Sequence, residues 1–153
     1  RFGKSGKDIL YELLPEINKK EIDRFIDKKE KIYRELVKKR GFKLEPGVEQ
    51  ILQFLHRTKI KCAISSSATR KNLLLALRET KIRKYFSAIV AAEDVKHHKP
   101  DPEPVLKAAK LLNVKPKDCI YIGDSIFEMI AAAITPRMRP SVWLEIIEKN
   151  SAP

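Results

Sequence analysis

The sequence predicts an α/β fold, a parallel sheet with helices packed on its faces. Three observations carry that reading. From residue 48 onward, short apolar runs alternate with segments in which apolar residues recur at helical spacing. The runs are continuous, as in "CIYI" at 119–122, which suits parallel strands covered on both faces. Strands that alternate with helices imply right-handed crossovers and so a parallel sheet.

The elements follow in order. Residues 7–14 and 21–39 are predicted helices, with apolar faces of Ile9, Leu10, Leu13 and Leu14, then Ile22, Phe25, Ile26, Ile32, Tyr33 and Leu36. Pro15 ends the first of them. "RGFKLEPG" at 40–47 reads as a linker, with Gly41 as a helix stop and Pro46-Gly47 as a turn. "VEQILQFLHRT" is a helix, "IKCAISSS" a strand ending in hydroxyls, and "ATRKNLLLALRET" a helix. "YFSAIVAAED" carries a strand, and "DPEPVLKAAKLLNV" is a helix entered through prolines that suit its first turn. "KDCIYIGD" is a strand and "SIFEMIAAAI" a helix. In "TPRMRPSVWLEIIEKN", two prolines are expected to interrupt any strand near Arg139, "VWLEIIEK" reads as a short helix, and Trp143 as a packing residue.

Composition narrows the function classes. The chain is 43% hydrophobic and 34% charged, enough apolar material for a core and too much for disorder. Its longest apolar run is far too short to span a bilayer, and no signal peptide is visible. Cys62 and Cys119 sit in apolar runs and form no CxxC pair, so they are expected to be buried hydrophobes in a reducing cytoplasm. The net charge of +12 fits a Lys-rich surface, or a field that attracts an anionic substrate. A nucleic-acid-binding module is the least favoured reading, because the basic residues are dispersed and no RNP, zinc-finger or helix-turn-helix pattern accompanies them.

In parallel sheets, sites form where strands reach their carboxyl ends. Ser66 and Asp124 stand at two such ends, and Lys99 follows a third within reach of both, so a hydroxyl, an ammonium and a carboxylate are expected on one rim. Ser65 and Ser67 are the alternatives to Ser66 if the register moves by one residue. A carboxylate on a tight Gly turn suits Mg²⁺, and Glu128, one helical turn on, could bind the cation or its waters. A hydroxyl with nearby N–H groups can hold a phosphoryl oxygen, and an ammonium offsets its charge. His97 and His98 are read as solvent-facing loop residues. These parts bind phosphate and metal but include no nucleophile or general base.

"AISSS", "HHKPDPEP" and "YIGDSIFEMIAAA" resemble, in order, the second, third and fourth motifs of the haloacid dehalogenase-like superfamily. The resemblance is to its phosphoglycolate phosphatase and β-phosphoglucomutase branch, which inserts a helical cap after the first strand. It implies a Rossmann-like sheet, with Ser66 as the phosphoryl-binding hydroxyl beside Ser67, Lys99 as the motif lysine, and Asp124 as a Mg²⁺ ligand. Glu128 stands where the family often has Asp. Lys4, Ser5 and Lys7 lie where cap residues of related enzymes approach substrate.

The family's first motif, Asp-x-Asp, supplies the nucleophile that becomes an aspartyl-phosphate and the general acid and base. It is missing here, since Asp8 and Asp23 fall within predicted helices. The resemblance therefore implies a partial helical cap over residues 1–43 and an incomplete core over 44–153, cut from a longer protein before its first motif. The parent would be a cytoplasmic, Mg²⁺-dependent phosphatase of a small phosphorylated metabolite, and the 153 residues alone would be inactive. The alternatives are a phosphomutase, or a non-catalytic phosphate- and metal-binding relative. Loss of the central first strand predicts either a gap in the sheet or direct pairing of "KCAIS" with "CIYIG".

Overall fold

The computed structural model describes residues 6–123, 126–135 and 139–140. Two helices lead. Helix α1 spans Gly6–Leu13, and Pro15 follows its end as expected. Helix α2 spans Lys19–Arg40. Asn18 caps it, its side chain accepting from the Glu21 N–H at 3.1 Å while its amide donates to the Glu21 carboxylate at 2.8 Å. Lys38, Lys39 and Arg40 place cations on its C-terminal carbonyls. Gly41 then takes φ 74°, ψ −179°, a conformation open almost only to glycine, and its N–H closes the helix on the Val37 carbonyl at 2.8 Å.

The remainder alternates helix and strand. Helix α3 (Val48–Arg57) leads to β1 (Cys62–Ser65), α4 (Arg70–Glu79) and β2 (Phe86–Val90). Then come α5 (Glu103–Leu112), β3 (Ile120–Tyr121), α6 (Ile126–Ile134) and β4 (Arg139–Pro140). Val48, Leu52, Leu73, Leu77, Ile82, Phe86, Ile89 and Ala91 form the main apolar core, with Ile64 and Cys62 packed against it. A second cluster joins Val105, Ala131 and Ala132 to Tyr121 and Cys119. Both cysteines are free and half-buried rather than fully buried, and burial raises the pKa of each thiol.

The sheet is parallel and split. β1 pairs with β2, setting Ser65 opposite Val90, and β3 pairs separately with β4. Among the described residues β1 and β3 share no ladder, so of the two expected outcomes the gap is found. Two sequence expectations are corrected. Arg139–Pro140 does pair as a strand, with Ile120–Tyr121. Proline loses only its N–H, and a two-residue edge pairing can spare one donor. Nor is "CIYI" covered on both faces, because Ile120 is 68% and Ile122 42% exposed. Side chains alternate along a strand, so Cys119 and Tyr121 face the second core cluster while Ile120 and Ile122 face away from it. The helix read into "VWLEIIEK", and Trp143 within it, lie outside the described residues.

Candidate active site

The loop between β1 and α4 is braced by main-chain bonds. Ser66 donates its N–H to the Val90 carbonyl at 2.9 Å, continuing the β1–β2 ladder one residue past the strand. The Ser66 Oγ accepts from the Ala68 N–H at 3.2 Å, a local turn that hydroxyl residues favour. The Ala68 carbonyl accepts from the Ala92 N–H at 3.0 Å. The Arg70 N–H, in the first turn of α4, donates to both Glu93 carboxylate oxygens at 2.9 and 3.1 Å. Arg70 also pairs through its guanidinium with Asp94, which accepts the Ala91 N–H at 2.7 Å. The segment after β2 therefore holds the segment after β1 in place.

This pair predicts an acid response. The Arg70 guanidinium, followed by the Ala91 N–H, holds the Asp94 carboxyl below the usual carboxylate range. A pKa depressed on folding gives stability that is full above the unfolded value of about 3.9 and is lost as pH falls through the lower folded value. Between pH 5 and 3, Asp94→Asn is expected to lose less of its urea midpoint than the unmodified chain, with the two curves converging in acid. Curves that stay parallel would remove Asp94 from the acid response.

Lys99 is the centre of the site. Its side chain is only 2% exposed, yet it carries an ammonium. That ammonium donates to the Ser65 carbonyl at 3.0 Å and to Glu128 Oε1 at 2.5 Å, and lies 5.6 Å from the Tyr121 ring centre. One buried cation thus ties the end of β1, the loop before α5 and the first turn of α6 together. Glu128 also folds back over Gly123. A Cβ at Gly123 would come within 2.3 Å of Glu128 Oε2 and 2.9 Å of Glu128 Cβ, so this position has no room for a side chain. The Ser65 Oγ is buried and has no hydrogen-bond partner among the described residues.

The Lys99 loop is closed by Glu103, whose carboxylate accepts the N–H groups of Lys96 at 3.0 Å and His97 at 2.8 Å. Those N–H groups hold its pKa below the usual range. His97, Asp101 and Glu103 bring ligand-type atoms within 4.8 Å of one another. Glu103 and Asp101 are already engaged by main-chain N–H groups, Asp101 by that of Glu103 at 2.8 Å, so the cluster reads as loop closure. A cleft of about 770 Å³ opens beside it, lined by Glu12 of α1, His97, His98, Asp101 and Ile134 among others.

Of the residues singled out in the sequence, Lys99 and Glu128 meet directly, and Ser66 and Ser67 follow the carbonyl that Lys99 holds. Asp124 and Lys4 lie outside the described residues. Spacing alone did not reveal the Ser65 carbonyl as a Lys99 acceptor or the brace formed by Glu93, Asp94 and Arg70. The acidic pair "ED" directly after an apolar strand was the one available signal for that brace. Glu128, laid over Gly123, offers oxygen donors of the kind a hard cation such as Mg²⁺ takes, and one of those oxygens is held here by Lys99.

The sequence matches the haloacid dehalogenase-like hydrolase family over residues 1–135. It is 38% identical over 121 residues to the chloroplastic 5-amino-6-(5-phospho-D-ribitylamino)uracil phosphatase of Arabidopsis thaliana, covering 78% of this chain and 31% of that protein. It is 34% identical over 99 residues to the phosphorylated carbohydrates phosphatase of Thermotoga maritima, covering 65% of this chain and 44% of that one. The chain therefore spans less than half the length of either relative. The crystal structure of β-phosphoglucomutase from Clostridium difficile superposes with a TM-score of 0.78 at 28% identity, covering 89% of this chain and 63% of that one. With three motif segments in order on an α/β frame and a family match over residues 1–135, the chain belongs to the haloacid dehalogenase-like hydrolases.

Proposed function

We propose that this chain is the phosphate- and metal-binding part of a phosphatase that hydrolyses a small phosphorylated metabolite, with the nucleophile supplied by a strand outside these 153 residues. The observation that carries the reading is the buried Lys99 ammonium, fixed between the Ser65 carbonyl and Glu128 beside the Ser66 loop. In this reading the Ser66 hydroxyl, on a loop whose own N–H groups brace it, donates to a phosphoryl oxygen, with Ser67 adjoining. Lys99 offsets negative charge that builds during transfer. Asp124 and Glu128 would hold Mg²⁺, which when bound supplies charge neutralisation at the phosphate. Lys4 would meet the anionic substrate. An aspartate on the missing strand attacks phosphorus to form an aspartyl-phosphate. A second acid protonates the departing oxygen and then activates the water that releases phosphate.

Two relatives, named as phosphatases of 5-amino-6-(5-phospho-D-ribitylamino)uracil and of phosphorylated carbohydrates, support a small phosphorylated metabolite as substrate. The likeness to β-phosphoglucomutase keeps a mutase as the second reading, since both reactions begin with the same transfer. Cytoplasmic location is part of this proposal, and no described helix is long and apolar enough to cross a membrane.

The test compares the 153-residue chain with a form extended upstream through an apolar strand bearing Asp-x-Asp, both with Mg²⁺ and p-nitrophenyl phosphate. Turnover only in the extended form is expected. Turnover by the 153 residues alone would refute the assignment of the nucleophile, and inactivity of both forms would favour a non-catalytic binding relative.

A further inference from the structure

Helix α2 reaches the core through a polar contact that the reading above does not use. Glu30, midway along α2, is only 8% exposed. Asn72, in the first turn of α4, is 6% exposed. The Asn72 amide donates to the Glu30 carboxylate, and its own oxygen accepts from the Arg34 guanidinium at 3.2 Å. Glu30 and Arg34 stand four residues apart, on one face of α2. Thr69 donates its hydroxyl to Glu30 at 3.3 Å while the same oxygen caps α4 at the Asn72 N–H, 3.5 Å away. Lys29 balances the charge at 2.7 Å from Glu30.

A carboxylate is costly to bury unless each of its oxygens is satisfied. Here Oε2 is satisfied by the N-cap and first turn of α4, the helix that follows the Ser66–Ala68 loop, and Oε1 by Lys29. The segment after β2 braces that loop through Ala92, Glu93 and Asp94, and Glu30 braces its far end.

We propose that Glu30 is a positioning residue: its carboxylate, reaching from α2 to α4, fixes the Thr69–Asn72 turn and through it the Ser66–Ala68 loop that receives phosphate. This rests on the phosphate reading of Ser66. Helix α2 is thereby a structural part of the phosphate site.

The experiment has two arms. In the 153-residue chain, Glu30→Ala should speed amide hydrogen exchange over residues 66–72 by about tenfold or more, leaving residues 103–112 of α5 unchanged. Glu30→Gln keeps a carbonyl oxygen for Thr69 and Asn72 and should restore most of the protection. In the upstream-extended enzyme, Glu30→Ala should raise KM by about tenfold while kcat falls by less than about threefold, and Glu30→Gln should recover the KM. An equal rise in exchange across the whole chain, or an unchanged loop, would overturn the proposal. If the loop loosens as expected but Ser66→Ala leaves KM untouched, the positioning contact stands and the phosphate reading of Ser66 fails.

Discussion

Replacing Lys99 with Met is expected to cost the fold about 2–4 kcal/mol, far more than a surface lysine would. The substitution keeps most of the buried aliphatic volume and deletes only the ammonium. The Glu128 carboxylate, whose side chain is 17% exposed, then loses its 2.5 Å cationic neighbour, and the Ser65 carbonyl loses its 3.0 Å donor. Removing one member of a buried pair takes away part of what compensates the other's desolvation, which is why the penalty exceeds the net worth of the pair. Partial exposure of Glu128 lets water recover some of that loss, so the lower half of the range is expected. Adding Glu128→Leu to Lys99→Met removes the carboxylate that the ammonium had faced and should restore part of the lost stability in urea titrations. A single variant within about 0.5 kcal/mol of the unmodified chain would show that Lys99 does not hold these three elements together. In the upstream-extended enzyme the single variant should also lose about 10²–10³ in kcat, the scale seen when one charge-stabilising group is removed. The double variant also removes Glu128, assigned above to the metal, so its stability alone reads the structural role of the ammonium, and its rate is expected to stay low.

Lys99 and Glu128 also show how far the sequence could be read. Lys-Pro after a strand-ending loop and GDSxxE after an apolar run marked both residues, because a charge placed at a strand tip is legible in one dimension. Their direct contact was not, since it depends on α6 bringing Glu128 back over Gly123, a close approach that the lone glycine only hinted at. The helices were legible for a different reason: caps and breakers are local. Pro15, Gly41 and Pro104 each act within a turn of where they stand, whereas the caps Asn18 and Thr69 emerged only with the structure. Strand pairing is a long-range property, and there the sequence reading was weakest. Pro140 argued locally against a strand that pairing with β3 nevertheless supports. The polar contact of Glu30 was invisible for the same reason. In α2 it is one charge among many Lys and Glu residues, and only docking against α4 makes it buried.

The split sheet makes the second large prediction. β1 pairs with β2 on one edge, and among the described residues its other edge faces no strand. The same holds for β3 beside β4. Adding an upstream apolar strand that pairs with both would complete two rows of main-chain hydrogen bonds, each bond contributing about 0.5–1.5 kcal/mol net. Any apolar surface it covers adds about 25 cal/mol for each Å² removed from water. The entropy of ordering the added residues opposes both gains at about 1–2 kcal/mol per residue, so the net effect is smaller than either gross sum. The bonds and the ordering entropy nearly cancel, so the apolar surface covered decides the sign, and a raised urea midpoint is the expected result. Strong new exchange protection should appear at the amides of Cys62–Ser65 and Ile120–Tyr121, while the β2 amides change little. Residue identity in the added strand offers a control. Replacing its two aspartates with asparagine should abolish turnover and leave the protection intact, because main-chain pairing does not depend on the carboxylates. If the added segment brings activity without new protection in β1 and β3, the nucleophile reaches the Lys99 site by some route other than the gap. If it brings protection without activity, the gap is a structural vacancy, and the chemistry assigned to Ser66, Lys99 and Glu128 is wrong.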